Sequence, residues 1–288
     1  MKLNRYCLSL MILLPTFMVD AQQPGPGTKL RTITDVLDKG GCLKLERSSV
    51  RICNFDYKWE GQNVEAISFQ PSGDGPFPAI LMIPGHERTA RDYIFMGERF
   101  AEEGFAGMAV TQPGYGRTQV KPDFVGPRTI NVLVEGFQRF QREPYVNTQR
   151  MGIFGYSRGG MAASLLAVQL KDLKAAVFGA GIYDFKKAYN ETKFDGIRKN
   201  MKAETGMTEG AIKQRSSILE MERLNCPVLI LHGEKDENVP VSQALLLRDR
   251  LIALKKEFEI KIFPDREHAI GPENVNKYTL DFFKRKLR

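Results

Sequence analysis

Tryptophan, histidine and cysteine are scarce in this chain: one, three and four of them in 288 residues. The cysteines, at 7, 42, 53 and 226, show no C-x-x-C pair and no histidine close by, so a structural zinc site is excluded as a reading, and no metal is expected. No internal repeat and no nucleic-acid motif is present. After residue 21 no apolar run approaches the roughly 20 residues that a membrane span needs. Basic residues outnumber acidic ones, 42 to 34, and part of the excess is Lys284, Arg285, Lys286 and Arg288. Cations at that place complement the C-terminal end of a last helix. With no accompanying motif they give no reason to expect a nucleic-acid partner.

What is present begins with a charged start, Lys2 and Arg5, and an apolar stretch from Cys7 to Val19. Val19-Asp20-Ala21 supplies the modest side chains that a signal peptidase reads, so residues 1–21 read as a cleaved signal peptide. The expected product is exported, secreted or periplasmic, without stable membrane insertion. Residues 22–41, opening on Gln22-Gln23-Pro24-Gly25-Pro26-Gly27, read as a flexible leader. Cys42 and Cys53 flank ten residues that read as two short strands about a tight turn. Equal arms would set the sulfurs opposite one another, and an oxidising compartment would allow a disulfide. Cys226, before an apolar strand, reads as a buried free thiol.

Residues 42–57 and 63–70 read as antiparallel strands at one edge. From residue 77 the pattern becomes alternation. Apolar runs at 77–83, 104–110, 151–154, 175–178, 227–231 and 259–263 are interleaved with helical stretches near 90–103, 128–142, 159–170, 241–256 and 273–287. Such alternation predicts an α/β fold, a mostly parallel sheet covered on both faces. Residues 183–225 break the alternation: about 40 residues without a strand, rich in Tyr, Phe and Met. A segment of that length between two strands reads as a helical, cap-like insertion over a pocket.

Chemistry enters at Gly155-Tyr156-Ser157-Arg158-Gly159-Gly160, which follows one apolar strand and opens a helix. A serine at a sharp strand-to-helix turn presents its hydroxyl at the sheet edge, and Gly155 and Gly159 relieve crowding there. The Arg158 amide, at the start of the helix, then points where an oxyanion would form. A serine hydroxyl needs a base, and only His86, His232 and His268 are available. His268 follows the last strand on a loop returning to the same edge, and is the predicted base. His86 is its rival, and His232 reads as the support of a turn. The carboxylate that orients the base is predicted as Asp236, in the loop after the 227–231 strand, with Asp184 and Glu234 as competitors. The loop after the 77–83 strand should supply a second oxyanion donor, the His86 amide beside Gly85. The order Ser157, Asp236, His268, each after a separate strand, is that of the α/β-hydrolases.

The segments around Ser157, Asp236 and His268 resemble the catalytic domain of prolyl oligopeptidase-type hydrolases, and the related dienelactone hydrolase-like esterases fit almost as well. The resemblance spans roughly 77–288, places the α/β-hydrolase domain at 42–288, and implies those three triad roles with His86 and Arg158 as backbone oxyanion donors. Two features depart from the family. Only about 55 residues of mature chain precede the hydrolase core, too few for a propeller domain, and the oxyanion loop reads Pro84-Gly85-His86-Glu87-Arg88 in place of a glycine-rich version. The first departure shifts the expectation toward a carboxylesterase acting on small esters, with no cofactor. A prolyl oligopeptidase-family exopeptidase or acyl-peptide hydrolase on short peptides is the alternative, and a non-catalytic binding protein on a hydrolase scaffold is the rival of another class. Acyl specificity, glycosylation of Asn190 and oligomeric state stay open.

Overall fold

The structure is a computed structural model that describes residues 26–288. The signal segment expected at 1–21 lies outside the described residues. The first element, helix α1 (Pro26–Asp38), corrects the expectation of a flexible leader through residue 41. Ile33 and Leu37, one turn apart, are fully buried, and they seat the helix against β1 (Cys42–Lys44) and β2 (Arg51–Asn54). Pro26 stands in the first turn, where a missing N–H leaves no helical bond unmade. The proline that reads as a breaker therefore opens the helix.

β1 and β2 pair antiparallel with Cys42 opposite Cys53, and the two form a disulfide. A small hairpin follows, β3 (Tyr57–Trp59) and β4 (Gln62–Val64), standing apart from the main sheet. β5 (Ala66–Gln70) rejoins the sheet antiparallel to β2. Next come β6 (Phe77–Ile83), α2 (Ile94–Glu102), β7 (Ala106–Val110), α3 (Pro127–Gln141), β8 (Val146–Tyr156), α4 (Arg158–Ala167) and β9 (Ala175–Gly179). The chain then departs into three short helices, α5 (Phe185–Glu191), α6 (Asp195–Thr205) and α7 (Glu209–Gln214), and a 3-10 turn over Ser217–Arg223. It finishes with β10 (Val228–Gly233), α8 (Ser242–Ala253), β11 (Phe258–Phe263) and α9 (Pro272–Leu287).

The sheet has nine strands in the order β1-β2-β5-β7-β6-β8-β9-β10-β11. From β7 to β11 all neighbours run parallel. Alternate residues of each central strand enter opposite cores, as a period of two demands. In β6, Ala79, Leu81 and Ile83 join the core that holds Leu133, Phe137 and Phe140 of α3, Met161 of α4 and Leu247 of α8. Ile80 and Met82 join the other, with Phe100 of α2 and Leu280, Phe282 and Phe283 of α9. With both faces covered, the carboxyl ends of the parallel strands are the place where a crevice opens. The loops carrying His86, Ser157, Asp236 and His268 follow β6, β8, β10 and β11, all at that end.

From residue 77 on, the predicted elements agree with these to within a few residues, β8 excepted, which begins five residues earlier than expected; before it, the edge strands expected over 42–57 and 63–70 are divided, β3 and β4 pairing in a separate hairpin and β1, β2 and β5 in the main sheet. Segment 183–225 holds no strand and is helical, as its composition suggested. The terminal cations are not a free patch: Lys284, Arg285 and Lys286 pair with Glu103, Glu259 and Glu257. Among the described residues no helix is long and apolar enough to cross a membrane.

Candidate active site

Ser157 closes β8 and caps α4 with φ 58° and ψ −124°, a backbone state costly for any side chain but glycine. Neighbouring main chain holds it there: Ser157 N–H donates to Gly179 O at 2.8 Å, and Met161 N–H donates to Ser157 O at 3.1 Å. The motif glycines are required by close approach. A Cβ on Gly155 would stand 2.0 Å from Gly159 O, and one on Gly159 would stand 2.0 Å from Ile83 O. Larger residues would push α4 off the sheet and carry the hydroxyl with it.

His268 reaches Ser157 as the sequence suggested. Its Nε2 lies 2.8 Å from Ser157 Oγ and its Nδ1 lies 2.7 Å from Asp236 Oδ2. An ionised carboxylate only accepts, so Nδ1 carries the proton and Nε2 is left to accept from the serine. The Asp236 side chain is fully buried while that of His268 is about a quarter exposed. Burial pushes the Asp236 carboxyl up, but hydrogen bonds from His232, His268 and the Val239 amide outweigh it and hold it at about 2. The competing carboxylates have other work. Asp184 caps α5 by accepting from Lys187 N–H at 2.9 Å, and Glu234 is exposed.

His86, the rival base, is not in the relay. Its Nδ1 pairs with the Tyr115 hydroxyl at 2.6 Å, and burial, then the Arg158 charge, lowers its pKa. The main chain of its loop does lie against the nucleophile: a Cβ on Gly85 would be 3.4 Å from Ser157 Cβ. Arg158 is the first residue of α4, where amides have no intrahelical acceptor. The loop of one expected oxyanion donor, His86, thus lies against Ser157, and the other, Arg158, directly follows it in the chain.

Four contributions were not foreseen from the sequence. Tyr156 donates its hydroxyl to His268 O at 2.6 Å and so fixes the loop that carries the base. Gly233 lets that loop close on the acid loop, since a Cβ there would meet Glu267 O at 2.1 Å. The Arg158 side chain, 3% exposed, forms a two-pronged ion pair with Glu204 of α6 at 2.8 and 3.2 Å and lies over the Phe124 ring at 4.5 Å. Glu204 also accepts from Phe124 N–H at 2.6 Å. Arg215 is buried and donates to the carbonyls of Asp123 and Phe124. In the sequence, only the Tyr, Phe and Met residues spread through 183–225 hinted that this segment packs down at all.

Over the relay lies a cavity of about 890 Å³. Met96, Met161, Ile182 and Ile197 line it, and Phe95 and Phe194, about half exposed, stand among its walls. Among the described residues no group of three or more His, Cys, Asp or Glu could hold a metal ion.

Comparison with known proteins gives the same architecture. A family profile described as "Prolyl oligopeptidase family" matches residues 125–288. The chain is 27% identical over 231 residues to "Uncharacterized peptidase YtmA" of Bacillus subtilis (strain 168), covering 78% of this chain and 88% of that relative. It is 26% identical over 225 residues to "Dipeptidyl-peptidase 5" of Porphyromonas endodontalis, covering 72% of this chain but 32% of the relative, so this chain spans about a third of that protein's length. Among solved structures, the acylaminoacyl peptidase of Pyrococcus horikoshii superposes with a TM-score of 0.74 at 20% identity, over 83% of this chain and 42% of that one.

Proposed function

The chain belongs to the prolyl oligopeptidase family, whose profile covers more than half of it, and from that premise we propose that it is a serine peptidase cleaving short peptides through an acyl-enzyme on Ser157. The observation that carries the proposal is the unbroken relay from Ser157 Oγ through His268 to Asp236.

In the first half-reaction His268 Nε2 takes the Ser157 proton as Oγ bonds to the scissile carbonyl carbon. The carbonyl electron pair moves onto oxygen, and the amides of His86 and Arg158 receive that charge. The tetrahedral adduct collapses, the C–N bond breaks, and the leaving amine takes the proton from Nε2. Water then repeats the sequence: His268 removes its proton, the hydroxide oxygen bonds to the acyl carbon, and Ser157 leaves with the proton. Asp236 keeps the imidazole in its working tautomer and stabilises the imidazolium that forms.

The relatives favour this peptidase reading over the carboxylesterase expected from sequence. That expectation leaned on the short stretch before the hydrolase core, yet YtmA, named a peptidase, is matched along 88% of its own length. The cavity supports a finer proposal. Among the described residues, its lining carboxylates are Glu87 and Asp92. Glu87 is 80% exposed, and Asp92 already accepts from Arg88 and from Thr89 N–H. Among the described residues lining the cavity no buried free carboxylate waits for an α-ammonium, so peptides with an uncharged, acylated N-terminal side and an apolar residue before the cut fit best. An exported, oxidising place of work is proposed with them, supported by the Cys42–Cys53 disulfide.

A panel of nitrophenyl esters, free aminoacyl-nitroanilides and N-acylated peptidyl-nitroanilides tests these readings. Highest kcat/KM on acylated apolar anilides is expected. Turnover of esters alone would restore the esterase, and a folded protein inert to every substrate would favour a binding role.

A further inference from the structure

One fully buried imidazole stands outside the Ser157–His268–Asp236 relay, and it sits beside the acid. His232, the penultimate residue of strand β10, has Nε2 2.7 Å from Val239 O and 3.3 Å from Asp236 Oδ2. Both neighbours are acceptors, so the ring proton stands on Nε2; Nδ1 is buried and meets no partner. The stronger bond is the one to Val239, and it bears on the acid as well. The turn Asp236–Val239 holds the other carboxylate oxygen, Oδ1, through the amides of Asn238 at 3.0 Å and Val239 at 2.9 Å.

We propose that His232 is a positioning residue for Asp236, pinning the turn whose amides hold Oδ1 and sharing its Nε2 proton with Oδ2. One imidazole thereby constrains both oxygens, one directly and one through the loop. A carboxylate held in this way cannot rotate about its side-chain bonds away from His268 Nδ1. The His232 and Asp236 side chains are both fully buried, which makes each of these bonds stronger than it would be in water and a lost one more costly. A histidine that merely filled space at the end of β10 would need neither the Nε2 proton nor the neighbouring carboxylate.

Only the kinetic test of this proposal rests on the hydrolase reading. On the full chain labelled with ¹⁵N-histidine, the His232 ring is expected to carry its proton on Nε2, and a ring protonated on Nδ1 alone overturns the proposal. Replacing His232 by Met removes the donor at similar bulk, and replacing it by Gln keeps an N–H near the same place. The rate of Ser157 modification by a fluorophosphonate should fall by about 10- to 100-fold in His232→Met, the size of losing a hydrogen bond to a charged group. His232→Gln should recover to within about threefold of the parent, at a melting midpoint no higher than that of His232→Met. A folded Met variant reacting at the parent rate, or a Gln variant as slow as the Met variant, overturns the proposal. If the parent itself does not react, the hydrolase reading fails. The His268 Nδ1–H resonance then decides: it should shift in His232→Met, and an unchanged resonance overturns the positioning role.

Discussion

Around Ser157 the loops after β8, β10 and β11 are joined largely through main-chain atoms, whereas segment 183–225 is fastened mainly by side chains, with one main-chain bond to the acid loop, Lys193 N–H to Glu237 O at 3.0 Å. On the sheet edge, Ser157 N–H donates to Gly179 O, Glu234 N–H to Phe263 O, and Lys235 N–H to Arg266 O. Glycines at 155, 159 and 233 make those approaches possible. On the cap side, the buried ties include Glu204 to Arg158 and to Phe124 N–H, Arg215 to the Asp123 and Phe124 carbonyls, and the Thr192 hydroxyl to Asn238 O. The first kind of contact survives most side-chain changes, and the second does not. Substitutions should therefore separate chemistry at the edge from pocket shape and stability at the cap.

The largest expected effect is at the edge. Ser157→Ala should lower kcat on the best anilide by at least about 10⁴-fold, and Asp236→Asn by about 10³-fold or more, with little change in melting midpoint for the former. Activity remaining in Ser157→Ala near the parent level would show that Ser157 is not the nucleophile. The cap comes next. Glu204→Ala leaves the buried Arg158 guanidinium unpaired, and losing one partner of a buried pair costs about 3–5 kcal/mol. Chemical denaturation should show a loss of about 3 kcal/mol, and Glu204→Gln a smaller one. A cap that tolerates the alanine without loss is not held as described.

A smaller effect follows from the depressed Asp236 carboxyl, about 2 against an ordinary value near 4. Its ionised form contributes stability in full above the unfolded value, and that contribution is lost as pH falls toward 2, about 2 kcal/mol in all. Unfolding free energy measured from pH 5 down to pH 2 should therefore fall less steeply in Asp236→Asn than in the parent; parallel curves would contradict this. The mildest change is at the pocket wall. Phe194→Ala removes about 1 kcal/mol of apolar contact with substrate, raising KM several-fold with kcat unchanged. A fall in kcat instead would mean that the cap also shapes the relay.

The same division explains what could be read before the structure. Ser157, Asp236 and His268 were legible because each is placed by its own strand and the loop directly after it, a local pattern. Helix α1 was not, because two apolar residues, Ile33 and Leu37, carry its docking and a Pro/Gly stretch precedes them. The second anchor of Arg158 was invisible, since Glu204 lies 46 positions away and nothing local couples them. Tyr156 was inside the quoted motif, yet its bond to the His268 carbonyl exists only once β8 and the final loop are neighbours. Ester against amide preference was beyond reach for another reason. The relay that performs either reaction is the same, so the choice rests on the cavity walls and on relatives.

The most direct measurement is mass spectrometry of the folded protein after brief exposure to a fluorophosphonate. One covalent adduct per chain is expected, recovered on the peptide containing Ser157 and missing from Ser157→Ala. A folded protein that stays unmodified, or an adduct on any other residue, would contradict it.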